Sequence, residues 1–330
     1  MLAYLIRRLL LAILTILAIT VVTFVIIQLP PGDFVDAYIA QSSAMGSAIS
    51  MEEAQALRVA YGLDEPMIVQ YGKWLSLMAR GEFGQSFEFG RPVAEVIGDR
   101  LWLTIVISVL AIFVTWGLAL PIGIYSAVRQ YSWGDYLFTF IGFIGLAVPN
   151  FLLALIVMYL AFRWFGMNVG GLFSAEFELA PWSAAKIWDL MKHLPLPVLI
   201  LALAGTAQLV RIMRANLLDE LRKPYVVTAR AKGLPERQVI MKYPVRAALN
   251  PFASTIGYLL PFVVSGSVII SVVLSLPTVG PLLLRALVSQ DMLLASTIIL
   301  LLGILTVVGT FVSDLLLMWI DPKIRQGLHG

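Results

Sequence analysis

Long apolar runs alternate with shorter polar segments along almost the whole chain. As an α-helix, a run of about 20 residues rises ~1.5 Å per residue and crosses the ~30 Å hydrocarbon core of a bilayer. Six runs come close to or exceed this length, so the pattern predicts an all-α, polytopic membrane protein with six transmembrane helices. The predicted spans are Leu9–Leu29, Leu101–Val128, Tyr136–Phe165, Leu194 to about Met213, Phe252 to about Leu276, and Leu293–Ile320.

The longest polar segment, residues 30–100, carries signals of folded helices rather than of a linker. Ser50-Met-Glu-Glu53 matches a capping box, in which the serine and glutamate side chains satisfy free N–H groups at a helix start. A second helix is predicted from Pro66, with apolar residues that include Tyr71 and Trp74 at three- and four-residue spacing. These two aromatic residues suit either a membrane–water boundary or the packed face of a small folded cap.

Two local features modify the predicted spans and their connections. Pro149 lies within the third span, where a proline removes a backbone hydrogen bond and kinks the helix. The connection 166–193 is polar and aromatic, and a short surface helix is predicted there at Ser183–Met191.

Composition agrees with a lipid-soluble chain and excludes several kinds of site. The 330 residues are 60% hydrophobic and 13% charged, with a mean hydropathy of +0.90, whereas a soluble protein is about a quarter charged. The net charge of +3 is too small to indicate a nucleic-acid partner. There is no cysteine and only two histidines, which disfavours a metal site. The sequence also contains no GxxxxGK[ST] nucleotide-binding loop.

The distribution of Lys and Arg predicts the orientation of the spans, because basic residues near span ends favour the cytoplasmic side. Residues 30–100 contain five basic and ten acidic residues, whereas residues 211–246 contain nine basic and three acidic ones. In a six-span topology, Arg129 and the basic residues of the C-terminal tail fall on the same side as the basic stretch. Both termini are therefore predicted to be cytoplasmic, and the segments 30–100, 166–193 and 277–292 to be external.

The segment Tyr225–Pro251 is a polar, basic and helix-prone interruption between the fourth and fifth spans. Gly233-Leu-Pro235 predicts a break between two helical pieces, with Pro235 opening the second. Small residues next to cationic ones suit docking in a groove of another protein. A solvated basic loop that touches anionic lipid headgroups is the alternative, and composition does not decide between them.

These features, taken in order along the chain, resemble the inner-membrane permease subunits of binding-protein-dependent ABC importers, within the dipeptide/oligopeptide/nickel branch. The matching residues, which cover nearly the whole chain, are Arg7-Arg8, Pro31-Gly32-Asp33, Tyr61-Gly-Leu-Asp64, Gln70-Tyr71, Trp74-Leu75, Gly81-Glu-Phe-Gly84, Ser86, Gly90-Arg-Pro-Val93, Asp314 and Asp321-Pro322. The most specific match is Tyr225-Val-Val-Thr-Ala-Arg-Ala-Lys-Gly-Leu234 followed by Pro251, which is similar to the cytoplasmic coupling loop with its EAA motif. Of the Glu-Ala-Ala that names the motif, only the last alanine persists in Val227-Thr228-Ala229.

The resemblance implies an ABC type I importer permease fold in a bacterial inner membrane. Residues 1–94 would hold the first transmembrane helix and an external, periplasmic helical segment. Residues 95–320 would form the transmembrane core, with the coupling loop at about 215–250, and residues 321–330 a cytoplasmic tail. The residues expected to couple to the ATPase are Tyr225, Thr228, Ala229, Arg230, Ala231, Lys232, Gly233 and Arg237.

The same resemblance implies a set of partners and no enzymatic activity of the chain itself. The partners would be two ABC ATPase subunits, a second homologous permease chain, an external solute-binding protein and the lipid bilayer. ATP and Mg would bind to the ATPase subunits, and this chain would bind no cofactor, metal or nucleic acid.

A stand-alone secondary transporter or channel is the alternative class. Such proteins usually place ionisable residues at mid-membrane, and the predicted spans contain few. Asp314 is the clearest candidate, and a role in helix packing is the simpler interpretation. Arg211 and Arg214 are interpreted as helix-end residues whose charged groups extend to the membrane surface. A membrane enzyme finds no support, since no clustered carboxylates or Ser/His/Asp set is evident.

The solute is left open between an oligopeptide, an oligosaccharide and a metal chelate. The external segment Leu276-Pro-Thr-Val-Gly-Pro281 has Thr278 where this branch commonly has glycine, which puts the substrate class in doubt. Pro149-Asn150 and the serines Ser265, Ser267 and Ser271 could face a translocation path. Because small polar residues also pack helix against helix, packing is the favoured interpretation.

Overall fold

The computed structural model describes residues 2–28, 32–44, 49–166, 170–254 and 268–320. Within these ranges the chain is built from helices and contains no β-strand, which confirms the all-α prediction. The helices are α1 (Leu2–Gln28), α2 (Phe34–Ala44), α3 (Met51–Tyr61), α4 (Met67–Ala79), α5 (Val93–Val128), α6 (Trp133–Ala147), α7 (Asn150–Phe165), α8 (Ala175–Glu178), α9 (Ala184–His193), α10 (Pro195–Leu221), α11 (Pro224–Ala231), α12 (Glu236–Lys242), α13 (Pro244–Ser254), α14 (268–273), α15 (Val279–Val288) and α16 (Met292–Ile320).

The chain divides into two compact units that interleave in sequence. The larger unit comprises Met1–Ile6, Thr104–Pro277 and Val308–Gly330, and the smaller unit comprises Arg7–Leu103 and Thr278–Val307. The long helices α5 and α16 each contribute to both units. The predicted division of the chain near residue 94 stays a prediction.

Helix α10 lies at the centre of the larger unit. Leu209, Met213 and Leu217 of α10 are at most 1% exposed and form its core. Residues of α5, α12 and α13 complete this cluster, among them Ala119, Ile240 and Ala248. Packing of these apolar side chains holds α12 and α13 against α10.

The polar segment of the smaller unit is folded as its local signals predict. Ser50 Oγ accepts a hydrogen bond from the Glu53 N–H at 3.1 Å, and α4 begins directly after Pro66. Trp74 is 3% exposed and packs with Phe24 of α1 and Leu300 of α16. Trp74 therefore lies on a packed face, against two of the long apolar helices, and its position relative to a membrane boundary stays a prediction.

The apolar helices are long enough for a multi-pass membrane protein. Among the described residues, three helices are long and apolar enough to cross a bilayer: Ile6–Gln28, Val93–Val128 and Met292–Leu315. The number rises to five if each of two bent helix pairs forms one span. The predicted fifth span, 252–276, lies largely outside the described residues.

The bent pairs correspond to the third and fourth predicted spans. Around Pro149 the kink is a break, because Trp133–Ala147 and Asn150–Phe165 meet at 109°. In the region of the fourth predicted span, the helical segments Ala184–Leu203 and Gly205–Leu221 meet at 49°. The predicted surface helix at 183–191 is present as α9, with Ser183 accepting a hydrogen bond from the Lys186 N–H.

Candidate functional site

The polar interruption after α10 folds as two short helices, α11 and α12, which we call the α11–α12 module (residues 224–242). Helix α10 ends at Leu221, and Pro224 lies in the first turn of α11, where the missing proline N–H has no helical partner to lose. Helix α12 begins at Glu236, directly after Pro235. The two predicted helical pieces and the break at 233–235 are confirmed.

One face of the module forms a small core of its own. Val226 and Val239 have no exposed surface and Ala229 is 5% exposed, while Leu234 and Tyr243 pack around them. Residues three apart share a helix face, which brings Val226 and Ala229 together. Ala229 was expected to fit closely against a partner, but the structure places its side chain inside this core. It therefore packs α11 against α12.

The opposite face of the module is exposed and contains most of the predicted coupling residues. The exposed residues are Tyr225, Val227, Thr228, Arg230, Ala231, Lys232, Gly233 and Arg237. Val227 is 57% exposed and was missed by the sequence analysis. Two adjacent valines give no signal as to which one faces inward, because either position fits a helical period of 3.6 residues.

Arg230 and Glu236 form an ion pair across the break between the two helices. Arg230 Nη2 donates to Glu236 Oε1 at 2.7 Å, and Nε donates to the two carboxylate oxygens at 3.2 and 3.1 Å. The Arg230 guanidinium lowers the pKa of Glu236, and Glu236 in turn raises the pKa of Arg230. Arg230 was expected to contact a partner protein; in this chain it has a carboxylate partner within the module.

Gly233 makes the turn that the ion pair spans. Its φ of +73° lies in the left-handed region, which glycine adopts without the strain that a Cβ atom brings. A Cβ placed on Gly233 would meet no atom within 4 Å. The backbone conformation therefore selects glycine here, and the space beside it is open to an approaching surface.

Two hydroxyl groups of α11 are used within the chain. The Tyr225 hydroxyl donates to the Glu220 carboxylate, and burial together with this acceptor raises the pKa of Tyr225. Thr228 Oγ1 donates to the Pro224 carbonyl at 3.0 Å. Tyr225 thus joins the start of α11 to the end of α10.

Two of the residues considered for a translocation path lie in helices of the described residues. Asn150 is half-buried at the start of α7, and Ser271 is 1% exposed in α14. Ser265 and Ser267 lie outside the described residues. Ser271 therefore has the burial expected of a packing residue.

Thr278, the departure from the expected glycine, lies in the packed interior of the smaller unit. It is the residue before α15 and is 4% exposed, while Val279 is 1% exposed. Val279 packs with Val93, Val96 and Ile97. The segment 277–292, expected as an external loop, is largely helical.

A buried ion pair in the larger unit was missed by the sequence analysis. Arg214 of α10 donates from Nε and Nη2 to the two carboxylate oxygens of Asp135, both at 2.9 Å. Asp135 is 2% exposed and also accepts the Tyr131 N–H. The interpretation of Arg214 as a helix-end residue reaching to the membrane surface is therefore wrong, because its guanidinium is held by α6.

A buried carboxylate in the smaller unit was also missed. Asp291 has no exposed surface and accepts hydrogen bonds from Ser86 Oγ at 2.5 Å, the Glu88 N–H at 3.1 Å and the Leu294 N–H at 3.1 Å. It joins the 86–89 turn to the first turn of α16. The sequence around Ser86 gives no indication that this residue contacts Asp291, 205 positions away. No group of three or more His, Cys, Asp or Glu side chains in the described ranges is arranged to hold a metal ion.

Comparison with known proteins places the chain in a family. The model of the binding-protein-dependent transport system inner membrane component matches residues 119–326, and the model of the N-terminal part of such components matches residues 1–108. This chain belongs to that family. It is therefore a multi-pass membrane permease subunit of a binding-protein-dependent ABC importer and not an enzyme. The family implies ATPase and solute-binding-protein partners.

Relatives match the permease over its full length. The oligopeptide transport system permease protein AppB of Bacillus subtilis is 37% identical over 98% of this chain and 100% of that protein. The dipeptide transport system permease protein DppB of Alkalihalophilus pseudofirmus is 31% identical over 98% of this chain and 100% of that protein. An inward-facing structure of the MetNI methionine ABC transporter superposes with a TM-score of 0.53. At 16% identity, covering 68% of this permease and 96% of that chain, it supports the shared ABC importer permease fold.

Proposed function

We propose that this permease forms, with a second related permease chain, the translocation path for oligopeptides, and that its α11–α12 module is the docking site for an ATPase subunit. The peptide assignment is supported by relatives such as AppB and DppB, which are peptide permeases by name and match this chain from end to end. Thr278 was the reason for keeping an oligosaccharide as an alternative solute. Thr278 is 4% exposed in the smaller unit, so its side chain offers little surface to a solute.

The observation that carries the docking proposal is the construction of the module. Its inner face is a closed core, its two helices are joined by the Arg230–Glu236 pair, and its outer face presents small residues around Gly233. Such a module can move as one body. The Tyr225–Glu220 hydrogen bond and the shared cluster of Ile240 with Met213 and Leu217 would pass that motion to α10.

In this mechanism ATP and Mg bind to the two ATPase subunits, whose closure moves the module and changes the access of the path from one side to the other. Reversing a 1:99 preference between two states takes about 5.5 kcal/mol of differential binding. Only contacts that differ between the two states supply it. The exposed residues Ala231, Lys232 and Gly233 are the proposed sources of these contacts. Both chain termini are proposed to lie on the same, cytoplasmic side.

A glycine substitution with a matched control tests the docking proposal. Gly233→Gln and Gly81→Gln introduce the same side chain at φ +73° and φ +75°, and neither site has another atom within 4 Å of the new Cβ. Both variants incur a similar backbone strain of roughly 1–2 kcal/mol. Only Gly233→Gln places bulk on the proposed docking face.

The expected result is normal membrane insertion of both variants and a loss of at least tenfold in ATPase activity stimulated by the solute-binding protein for Gly233→Gln alone. Unchanged stimulated ATPase activity of a normally inserted Gly233→Gln complex would overturn the docking proposal. A binding screen of the solute-binding protein against peptides and oligosaccharides tests the cargo separately.

A further inference from the structure

A groove runs between the end of α5 and α12 in the larger unit. Its volume is about 510 Å³. The residues that line it are Pro121, Ile124, Tyr125, Val128, Arg129, Arg237, Ile240 and Met241. Val128 and Met241 are 42% and 52% exposed, so the apolar floor of the groove is open to its surroundings. The charged residues that line it are Arg129, which directly follows α5, and Arg237 of α12.

Among the residues that the structure describes, no carboxylate balances the two arginines. Neither Arg129 nor Arg237 forms an ion pair with an acidic side chain of the described residues. The Arg129 guanidinium lies over the Tyr125 ring, 5.8 Å from its centroid, which holds the cation beside the groove. The groove therefore combines an apolar floor with uncompensated positive charge.

The surroundings of the groove have the composition of a membrane–water boundary. Immediately after α5, Tyr131, Trp133 and Tyr136 are 69%, 91% and 57% exposed. Trp and Tyr are enriched at this boundary because their rings are apolar and their N–H or O–H groups remain hydrated. This aromatic segment adjoins the groove, since a Cβ on Gly134 would lie 2.5 Å from the Tyr125 hydroxyl oxygen.

We propose that this groove binds an anionic phospholipid, with its phosphate held by Arg129 and Arg237 and an acyl chain lying along Val128, Ile124 and Pro121. Basic pockets at the ends of transmembrane helices suit anionic headgroups, and guanidinium groups match the geometry of phosphate oxygens. A lipid fits better than a protein because the floor belongs to the last two turns of an apolar span.

The test measures lipid retained by the full-length permease in its complex with the partner subunits. The complex is reconstituted in nanodiscs of equal parts phosphatidylglycerol and phosphatidylcholine, extracted in detergent, and its bound lipids are quantified by mass spectrometry. We expect phosphatidylglycerol to be enriched at least fivefold over phosphatidylcholine in the wild type. Arg129→Gln removes the charge and Val128→Trp fills the floor, and each is expected to abolish the enrichment.

Two control variants make the result specific. Arg129→Lys keeps the charge and is expected to retain most of the enrichment. Arg222→Gln removes an exposed cation of the basic stretch 211–246 that does not line the groove. It is expected to leave the enrichment unchanged. Equal retention of both lipids by the wild type, or undiminished enrichment in both Arg129→Gln and Val128→Trp, would overturn the proposal.

A third outcome identifies a protein partner instead. If Arg129→Gln keeps its phosphatidylglycerol but loses co-purification of the ATPase subunit, the groove is a protein interface and the lipid proposal is wrong. Failure of the docking proposal at Gly233 would leave the lipid measurement unaffected, because retention of lipid is read without ATPase activity.

Discussion

Two carboxylates of this permease join separate elements in opposite ways. Asp291 has no exposed surface and accepts hydrogen bonds from the Ser86 hydroxyl and from backbone N–H groups, among them those of Glu88 and Leu294. The Glu236 side chain is 55% exposed and has one partner, Arg230, whose side chain is 43% exposed. A buried acceptor cannot exchange its partners for water, so Asp291 fixes its surroundings. An exposed pair is worth ~1 kcal/mol or less and can exchange partners, which suits a surface proposed to dock another protein.

The largest effect in this comparison is expected from Asp291→Ala. The substitution leaves the Ser86 O–H and the Glu88 and Leu294 N–H groups without acceptors in a buried site, at roughly 1–3 kcal/mol each. We expect a loss of about 4 kcal/mol, seen as a fall of roughly 10 °C in the midpoint of thermal unfolding of the detergent-solubilised protein. Asp291→Asn keeps a side-chain oxygen and is expected to lose much less. Equal midpoints for wild type and Asp291→Ala would contradict the assignment.

A second prediction concerns how the stability of the wild type and of Asp291→Asn depends on pH. Burial raises the pKa of Asp291, partly offset by its hydrogen bonds from Ser86 and the backbone. Because the folded-state pKa lies above the unfolded value, the buried charge costs stability above the folded pKa, and this cost disappears as pH falls towards the unfolded value. The stability of the wild type relative to Asp291→Asn is therefore expected to rise as pH is lowered from about 7 to about 4. If the difference in unfolding midpoint between the wild type and Asp291→Asn stays constant over that range, the pKa of Asp291 is not raised.

An intermediate effect is expected at the Asp135–Arg214 pair. Asp135 is buried while the Arg214 side chain is 27% exposed, so removing one partner leaves a partly desolvated charge. Breaking a fully buried pair costs about 3–5 kcal/mol, and the partial exposure of Arg214 places this pair at about 2–3 kcal/mol. We expect Asp135→Ala and Arg214→Ala to lower the unfolding midpoint strongly and the double variant to lose less than the sum of the two. Additive losses would show that the two side chains do not interact.

The smallest effect is expected from Glu236→Gln. Because Arg230 lowers the pKa of Glu236, the pair contributes stability at neutral pH that is lost as pH falls through the lowered value. Both groups are exposed, so we expect a change of about 0.5 kcal/mol or less in stability at neutral pH. Stimulated ATPase activity is expected to fall by roughly two- to threefold, because the two helices would no longer move as one body.

The control for this variant is Glu176→Gln, which removes an exposed acid of α8 that is far in sequence from the module. It is expected to change neither stability nor stimulated ATPase activity. An effect of Glu236→Gln on stability as large as that of Asp291→Ala would remove the distinction between the fixed and the exchangeable carboxylate.

Much of the fold could be predicted from the sequence because it follows from local rules. The Ser50–Glu53 cap and the start of α4 after Pro66 depend on a few neighbouring residues, and so do the breaks at Pro149 and Gly233. The membrane class follows from the length of the apolar runs. The position of the α11–α12 module and its break were predictable for the same reason.

The details of the candidate site were less predictable. Periodicity could not decide which of Val226 and Val227 faces inward, and it did not reveal that Ala229 belongs to a core. That core needs Val239 from the next helix and Tyr243 beyond it. Arg230 was identified as a cation on a docking face, but its partner Glu236 follows from the turn geometry that Gly233 allows.

The sequence by itself determined that this protein is a helical membrane chain with a basic, broken interruption after the fourth span. Apolar length, proline, glycine and capping residues act on the backbone within a few residues, so their effects can be read in order. Only the tertiary structure decided the partners of its buried charges. Ser86 and Asp291 are 205 residues apart, and Asp135 and Arg214 are 79 apart. Such pairs form only when distant segments pack, because burial strengthens a hydrogen bond and at the same time makes its absence costly.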